Sequence, residues 1–318
     1  MYNAERYLPR CMESLLGQTH RDIEVIAIDD CSTDGSLRLL QEYAAADPRL
    51  RVLQMEHNSG APAARNKAMD VSMGELMTTV DADDAISLDA IEKAVRVFEE
   101  SPTVDIVTYD LVRINAATNK EIPHKINPRI PRRMSGKEAC YWTLHWDIPG
   151  LDVVRSSLEK RFLAETRYGQ YGDETTTHIV FYNACEVVLG EGKYYYYQNP
   201  DSYTNKISVK RFEMLECRLS LRRQLVNAGA DKRIIRRLDV KRWHELMKAC
   251  ALYHEYGSMF TAEEREDLWQ RMATTYRTFS LSDLPLRLAF APFRAKMPTF
   301  RLFYIEQLLK QFVKSLIR

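Results

Sequence analysis

Asp81, Asp83 and Asp84 close an apolar stretch, Leu76-Met-Thr-Thr-Val80, and three carboxylates placed there need something to neutralise them. The apolar run reads as a buried strand, and in an open α/β sheet ligands sit just beyond the carboxyl ends of the strands. Hard divalent cations prefer oxygen ligands and commonly take one or two carboxylates together with substrate phosphates. The cluster therefore points to a phosphate-bearing substrate held with Mg²⁺ or Mn²⁺. The plainer alternative is a loop in which Asp83 or Asp84 caps the helix that begins near Leu88.

A second acidic strand end lies upstream, where Glu24-Val-Ile-Ala-Ile-Asp29 runs into Asp30 and the turn-rich Cys31-Ser-Thr-Asp-Gly35. The lone histidines His57 and His178 read as hydrogen-bonded structural residues rather than metal ligands.

The elements around these sites alternate. Leu8, Met12, Leu15 and Leu16 recur at helical spacing down to Gly17, with Asn3 as a cap and Pro9 bending the early turns. Strands are expected over Glu24 to Asp29, Arg51 to Met55, Glu75 to Val80 and Asp105 to Val112. Helices are expected over Ser36 to Ala46, Ala63 to Met69 and Leu88 to Glu100. This order predicts an α/β fold with a mostly parallel sheet flanked by helices. Residues Asn115 to Arg133 read as an excursion loop, Ser135-Gly-Lys-Glu138 as a capping box, and Tyr194 to Tyr197 as a late strand. Helical patterns dominate from Val209, so residues 1–204 (a nucleotide-binding part, 1–112, and an acceptor-side part, 113–204) are expected to precede a helical region, 205–318.

Composition narrows the classes. With 45 basic against 44 acidic residues and a net charge of +1, no global field marks nucleic acid as a partner. The six cysteines form no C-x-x-C pair, which argues against structural zinc and disulfides and fits a reducing cytoplasm. No signal peptide pattern and no long apolar span occurs. Residues 300–318 place Phe303 or Tyr304, Leu308, Leu309, Phe312, Val313, Leu316 and Ile317 at helical spacing among Arg301, Lys310, Lys314 and Arg318. This basic amphipathic helix suits either the inner membrane surface or packing on the helical region.

Four segments in order resemble the inverting family 2 glycosyltransferases of the GT-A fold: Tyr2-Asn-Ala-Glu5 through Gly17-Gln-Thr19, Ile28 to Asp34, Asn58-Ser-Gly60 with Ala64-Arg-Asn66, and Asp81-Ala-Asp83-Asp84, the last being the DxD motif. The resemblance covers roughly residues 1–205. It implies a nucleotide pocket of Tyr2, Asp29, Asp30, Arg65 and Asp81, with Asp30 on the base or ribose and Asp81 on the ribose. It implies a metal bridging the diphosphate at Asp83, with Asp84 as an alternative ligand. Gly172-Asp173-Glu174 resembles the family's Glu-Asp pair, which implies Asp173 as general base, or Glu174 if the register slips by one.

Departures from the family pattern are the apolar strand that would precede Tyr2, Gly172 in place of Glu, Cys31 in place of Gly, and Gln198 in place of Arg. The missing strand is expected to leave two unpaired edges, through a late start site or an incomplete nucleotide pocket. The resemblance implies transfer of a sugar from a UDP- or GDP-linked donor to a glycan or lipid-linked acceptor in bacterial cell-surface polysaccharide synthesis. The rivals are a nucleotidyltransferase, for which the Gly-rich, Lys-containing phosphate loop is lacking, and a non-catalytic nucleotide- or glycan-binding protein.

Overall fold

The computed structural model describes residues 1–115, 118–199, 207–279 and 299–317, and for 168–170, 173 and 309–317 it describes the backbone alone. The chain divides into two compact units, Met1–Asn205 and Lys206–Arg318.

The first unit opens with α1 (Leu8–Leu16), β1 (Val25–Asp29), α2 (Ser36–Ala46), β2 (Leu50–Gln54), α3 (Ala61–Val71), β3 (Leu76–Thr78), β4 (Ala85–Ile86) and α4 (Ala90–Glu100). It continues with β5 (Val104–Asn115), β6 (Lys120–Pro123), β7 (Arg133–Ser135), α5 (Gly136–Thr143), β8 (Asp152–Arg155), α6 (Ser156–Glu159), α7 (Gly172–Asn183) and β9 (Glu186–Gln198). In α4 the one-turn spacing of Ala90, Ala94 and Phe98 builds a single buried face, which packs against Val107, Tyr109 and Val188 of the sheet. Full burial of a side chain such as Phe98 contributes about 1.5–3 kcal/mol.

Helices flank the sheet, as the alternation of elements implies, but its pairing is mixed rather than mostly parallel. The pairs β1–β2 and β5–β9 are parallel, whereas β3–β8, β5–β8, β4–β9, β5–β6 and β7–β9 are antiparallel. Two of these antiparallel pairs come from β8, which alternation did not reveal: it enters between β3 and β5 in the opposite sense. The excursion after Asn115 also carries a strand, β6, which folds back on β5. All four of its residues are exposed, so no apolar alternation marks it in the sequence.

The sheet is interrupted. Strands β1 and β2 form a separate two-stranded ribbon, and among the described residues no strand joins β1 to β3. At the open edge of β1 the Met1 ammonium donates to Ile28 O (2.7 Å) and the Asp30 amide donates to Met1 O (2.8 Å). That pattern is one parallel bridge, opposite Asp29. The Glu24 carboxylate spans the other end of the gap, accepting from the amides of Met73 and Gly74. Asn3 does not cap α1 as expected. It takes a left-handed conformation (φ 49°), which Asn tolerates, and its side chain bonds across the rim to Thr33.

The second unit is helical: α8 (Glu213–Asn227), α9 (Lys232–Tyr256), α10 (Ala262–Arg277) and α11 (Phe300–Ile317). Asp231 caps α9, and Thr261 with Glu264 forms a full capping box on α10. Trp243, Leu246, Cys250, Met272, Tyr276, Phe300 and Phe303 share one buried core. The first half of α11 is thus packed through Phe300 and Phe303, while Leu302 and Ile305 stay exposed. The side chains of Lys310, Lys314 and Arg318 lie outside the described residues.

Candidate functional site

The turn from Asp81 to Asp84 follows β3 directly and is closed by the Asp84 amide donating to Asp81 O (2.9 Å). Buried Ala85 and Ile86 then pull the chain back into the sheet as β4, opposite Tyr194 and Tyr195 of β9. Helix α1 braces the turn from the other side. Cys11 Sγ donates to Asp81 O (3.6 Å), Arg10 Nη2 donates to Asp83 O, and Ser14 Oγ accepts from the Ile86 amide (3.3 Å).

The three carboxylates are not equivalent. Asp81 is exposed, and its Oδ1 pairs with Arg65 Nη2 of α3 at 2.8 Å. Asp83 is part-buried; burial, and then the charge of Asp81, hold its carboxyl above the usual range. Asp84 is 1% exposed and fully engaged: Oδ2 accepts from Tyr194 OH (2.9 Å) and Oδ1 from the Tyr197 amide (2.9 Å). Burial pushes Asp84 up to about 8. These two bonds fasten the acidic turn to β9 through Asp84.

Two accessible carboxylates at one strand end, Asp81 and Asp83, fit a hard divalent cation whose remaining ligands come from a diphosphate and water. Among the described residues no group of three or more His, Cys, Asp or Glu forms a protein-only metal cage.

Asp30 is 2% exposed and accepts from the amides of Ser59 (2.8 Å) and Gly60 (2.7 Å). It thereby sets the loop that launches α3, where Gly60 sits at φ 84°, a conformation that glycine adopts without strain. Asp29 is fully buried; Oδ2 accepts from the Ser32 amide (3.2 Å), and Oδ1 has no hydrogen-bond partner. Tyr2 lies at the rim, 49% exposed. Cys31 adopts φ 60°, the region that favours glycine, and its Sγ bonds to Met55 O (2.9 Å).

Glu174 is half-buried on the first turn of α7, and the Asp173 side chain lies outside the described residues. Gly172 is a packing requirement. A Cβ there would come 2.1 Å from Glu165 O and 3.3 Å from Pro62 Cγ, so a Glu at that position requires the Glu165 backbone to move. His178 is buried, with Nδ1 3.0 Å from Thr143 Oγ1, in keeping with a structural histidine.

Several contributors lie outside the predicted site residues. Arg10, Tyr194 and Tyr197 meet the acidic turn only through tertiary contacts. Asn66 on α3 exchanges two hydrogen bonds with Ala164, close to the start of α7. Asp152 and Glu159 are further carboxylates that burial drives up, to about 8 and about 7. The charge of Glu159 adds to the first shift, and that of Arg65 opposes the second.

An α/β sheet flanked by helices, with paired carboxylates and an arginine at a strand end, defines a fold suited to a phosphate-bearing ligand. The family description "Glycosyl transferase family 2" matches residues 1–162, and the chain belongs to that family. Over 112 residues it is 39% identical to TuaG of Bacillus subtilis, a protein named for teichuronic acid biosynthesis, a stretch that spans 35% of this chain and 44% of that relative. Glycosyltransferase GlyG of Streptococcus pneumoniae is 26% identical over 290 residues, 86% of this chain and 92% of GlyG. The solved structure of S. aureus TarS 1–349 in complex with UDP superimposes with a TM-score of 0.64 at 20% identity, covering 89% of this chain and 80% of that one. That likeness shows the GT-A type of fold.

Proposed function

We propose that this chain is a metal-dependent, inverting glycosyltransferase that moves a sugar from a UDP- or GDP-linked donor to a glycan or lipid-linked acceptor in bacterial cell-surface polysaccharide synthesis. The observation that carries the reading is the pair Asp81 and Asp83, presented beyond β3 beside Arg65 in a family 2 chain. The names of TuaG and of the UDP-bound TarS structure support the substrate class and the setting.

Transfer builds negative charge on the departing diphosphate and positive charge on the sugar. A bound Mg²⁺ or Mn²⁺, held by Asp83 with Asp81 beside it, would supply positive charge to the diphosphate. Tyr2, Asp29, Asp30 and Arg65 surround the nucleoside end. Inversion needs a base on the sugar face opposite the leaving group, and Asp173, with Glu174 as the alternative, takes the acceptor hydroxyl proton at the start of α7. Cytoplasmic chemistry with peripheral membrane contact through residues 300–318 completes the reading. Exposed Leu302 and Ile305 favour that contact, and among the described residues no helix is long and apolar enough to cross a membrane.

Calorimetric titration with UDP and with GDP, each with and without Mn²⁺, tests the donor site without an acceptor. Metal-dependent binding of either nucleotide is expected. Failure to bind both overturns the catalytic reading and favours a non-catalytic role, for which the interrupted sheet beside Asp29 and Asp30 is the specific observation.

A further inference from the structure

We infer that Arg10 is a positioning residue for the donor site: it locks the Asp83 turn to the end of β9 so that the Asp83 carboxylate is held ready for a divalent cation. The inference rests on the glycosyltransferase reading and adds a residue to it.

The observation is a closed ring of contacts. Arg10 Nη2 donates to Asp83 O, and Asp83 is joined by its peptide bond to Asp84. Asp84 Oδ1 accepts from the Tyr197 amide at 2.9 Å, and the Tyr197 ring lies under the Arg10 guanidinium, 3.3 Å from its carbon to the ring centre. Four side chains or backbone groups from α1, the acidic turn and β9 therefore constrain one another. Cys11 and Ser14, on the same face of α1, hold the backbone at Asp81 and Ile86, but Arg10 alone of the three also reaches β9.

The chemistry suits a positioning role better than a structural ion pair. Among the described residues Arg10 forms no salt bridge, although three carboxylates follow one another in the adjacent turn, so its charge serves the turn as a whole. Its Nε is buried without a hydrogen-bond partner, so the guanidinium is held by the Asp83 carbonyl and the Tyr197 ring. A planar guanidinium can lie flat on an aromatic face and donate in its own plane to a carbonyl at the same time, a combination that a compact ammonium does not match. Groups that orient a metal ligand without touching the metal typically alter metal affinity by about 10- to 100-fold when removed.

The test is titration of UDP, or of GDP if that is the nucleotide the parent binds, across a series of Mn²⁺ concentrations and in EDTA. Parent, Arg10→Met, Arg10→Lys, Tyr197→Leu and the Arg10→Met/Tyr197→Leu double variant are compared, with thermal unfolding alongside. In Arg10→Met the Mn²⁺ midpoint should rise by about tenfold or more, while metal-free nucleotide affinity stays within twofold of the parent. Arg10→Lys should fall between parent and Arg10→Met, and the double variant should be no worse than the poorer single one, because both residues serve one ring. An unchanged midpoint in Arg10→Met overturns the inference. So does an equal loss of affinity with and without metal, or additive losses in the double variant. A parent that binds neither nucleotide overturns the glycosyltransferase reading itself, and the inference with it.

Discussion

The side-chain amide of Asn66 bonds to both backbone groups of Ala164: Nδ2 donates to its carbonyl (3.0 Å) and Oδ1 accepts from its amide (2.9 Å). Asn66 follows Arg65, which reaches Asp81, and Ala164 lies eight residues before Gly172 at the start of α7. One amide therefore ties the donor side of the site to the segment carrying the candidate base. Asn66→Ala should leave nucleotide affinity within threefold but lower kcat by about 10-fold or more, since small misplacements of a reacting group are costly in rate. A KM change with kcat intact would show that the clamp serves donor binding instead.

Asp83 and Asp84 should separate cleanly. Asp83→Asn is expected to weaken Mn²⁺-dependent nucleotide binding with little change in Tm, because its carboxylate is the more accessible of the two. Asp84→Leu should lower Tm, because it leaves the Tyr194 hydroxyl and the Tyr197 amide without their buried partner, which typically costs about 1–3 kcal/mol. Parallel calorimetry and thermal scans check both.

Stability should fall as pH rises from about 4 to about 8. Burial raises Asp84 and Asp152 from an ordinary 3.8 to about 8, and Glu159 from 4.5 to about 7. At these three positions the folded chain binds more protons than the unfolded chain in that window, so their contribution to the slope of stability with pH is negative. Asp152→Asn and Glu159→Gln should each flatten the profile and raise Tm at pH 8, since desolvation of an ionised carboxylate is what these positions cost. Tm measured across that range in parent and variants decides it.

The open edge of β1 should accept a strand. Extending the chain ahead of Met1 by five alternating apolar residues continues the parallel bridge opposite Asp29, and it turns a buried ammonium, whose pKa burial depresses, into a neutral peptide amide. Tm is expected to rise by about 2–4 °C for each kcal/mol gained. A Tm and nucleotide affinity equal to the parent's would show that this edge does not take a strand.

The parts legible from sequence share a local cause. Helices α2 and α4 and strands β1, β3 and β5 declare themselves through the period of their apolar residues, and the acidic turn stands out because charge follows a buried run. Strand β6 is exposed throughout and carries no period, and β8 is only four residues long, so neither registers before pairing partners are known. The N-cap at Ser135 is readable because it depends on residues three apart, and the Ser135 hydroxyl accepts from the Glu138 amide, which is one half of the expected capping box.

The sequence by itself determined the α/β class, the family and the placement of carboxylates at strand ends, because these follow from residue order and short-range spacing. Only the tertiary structure decided which carboxylates are available. Asp84 is bonded by Tyr194 and Tyr197 from 110 residues or more away, and Asp30 by a loop 29 residues on, whereas Asp81 and Asp83 are the less buried of the four. Hydrogen bonds between distant segments are set by how the sheet brings its strand ends together, and no local pattern of residues encodes that meeting.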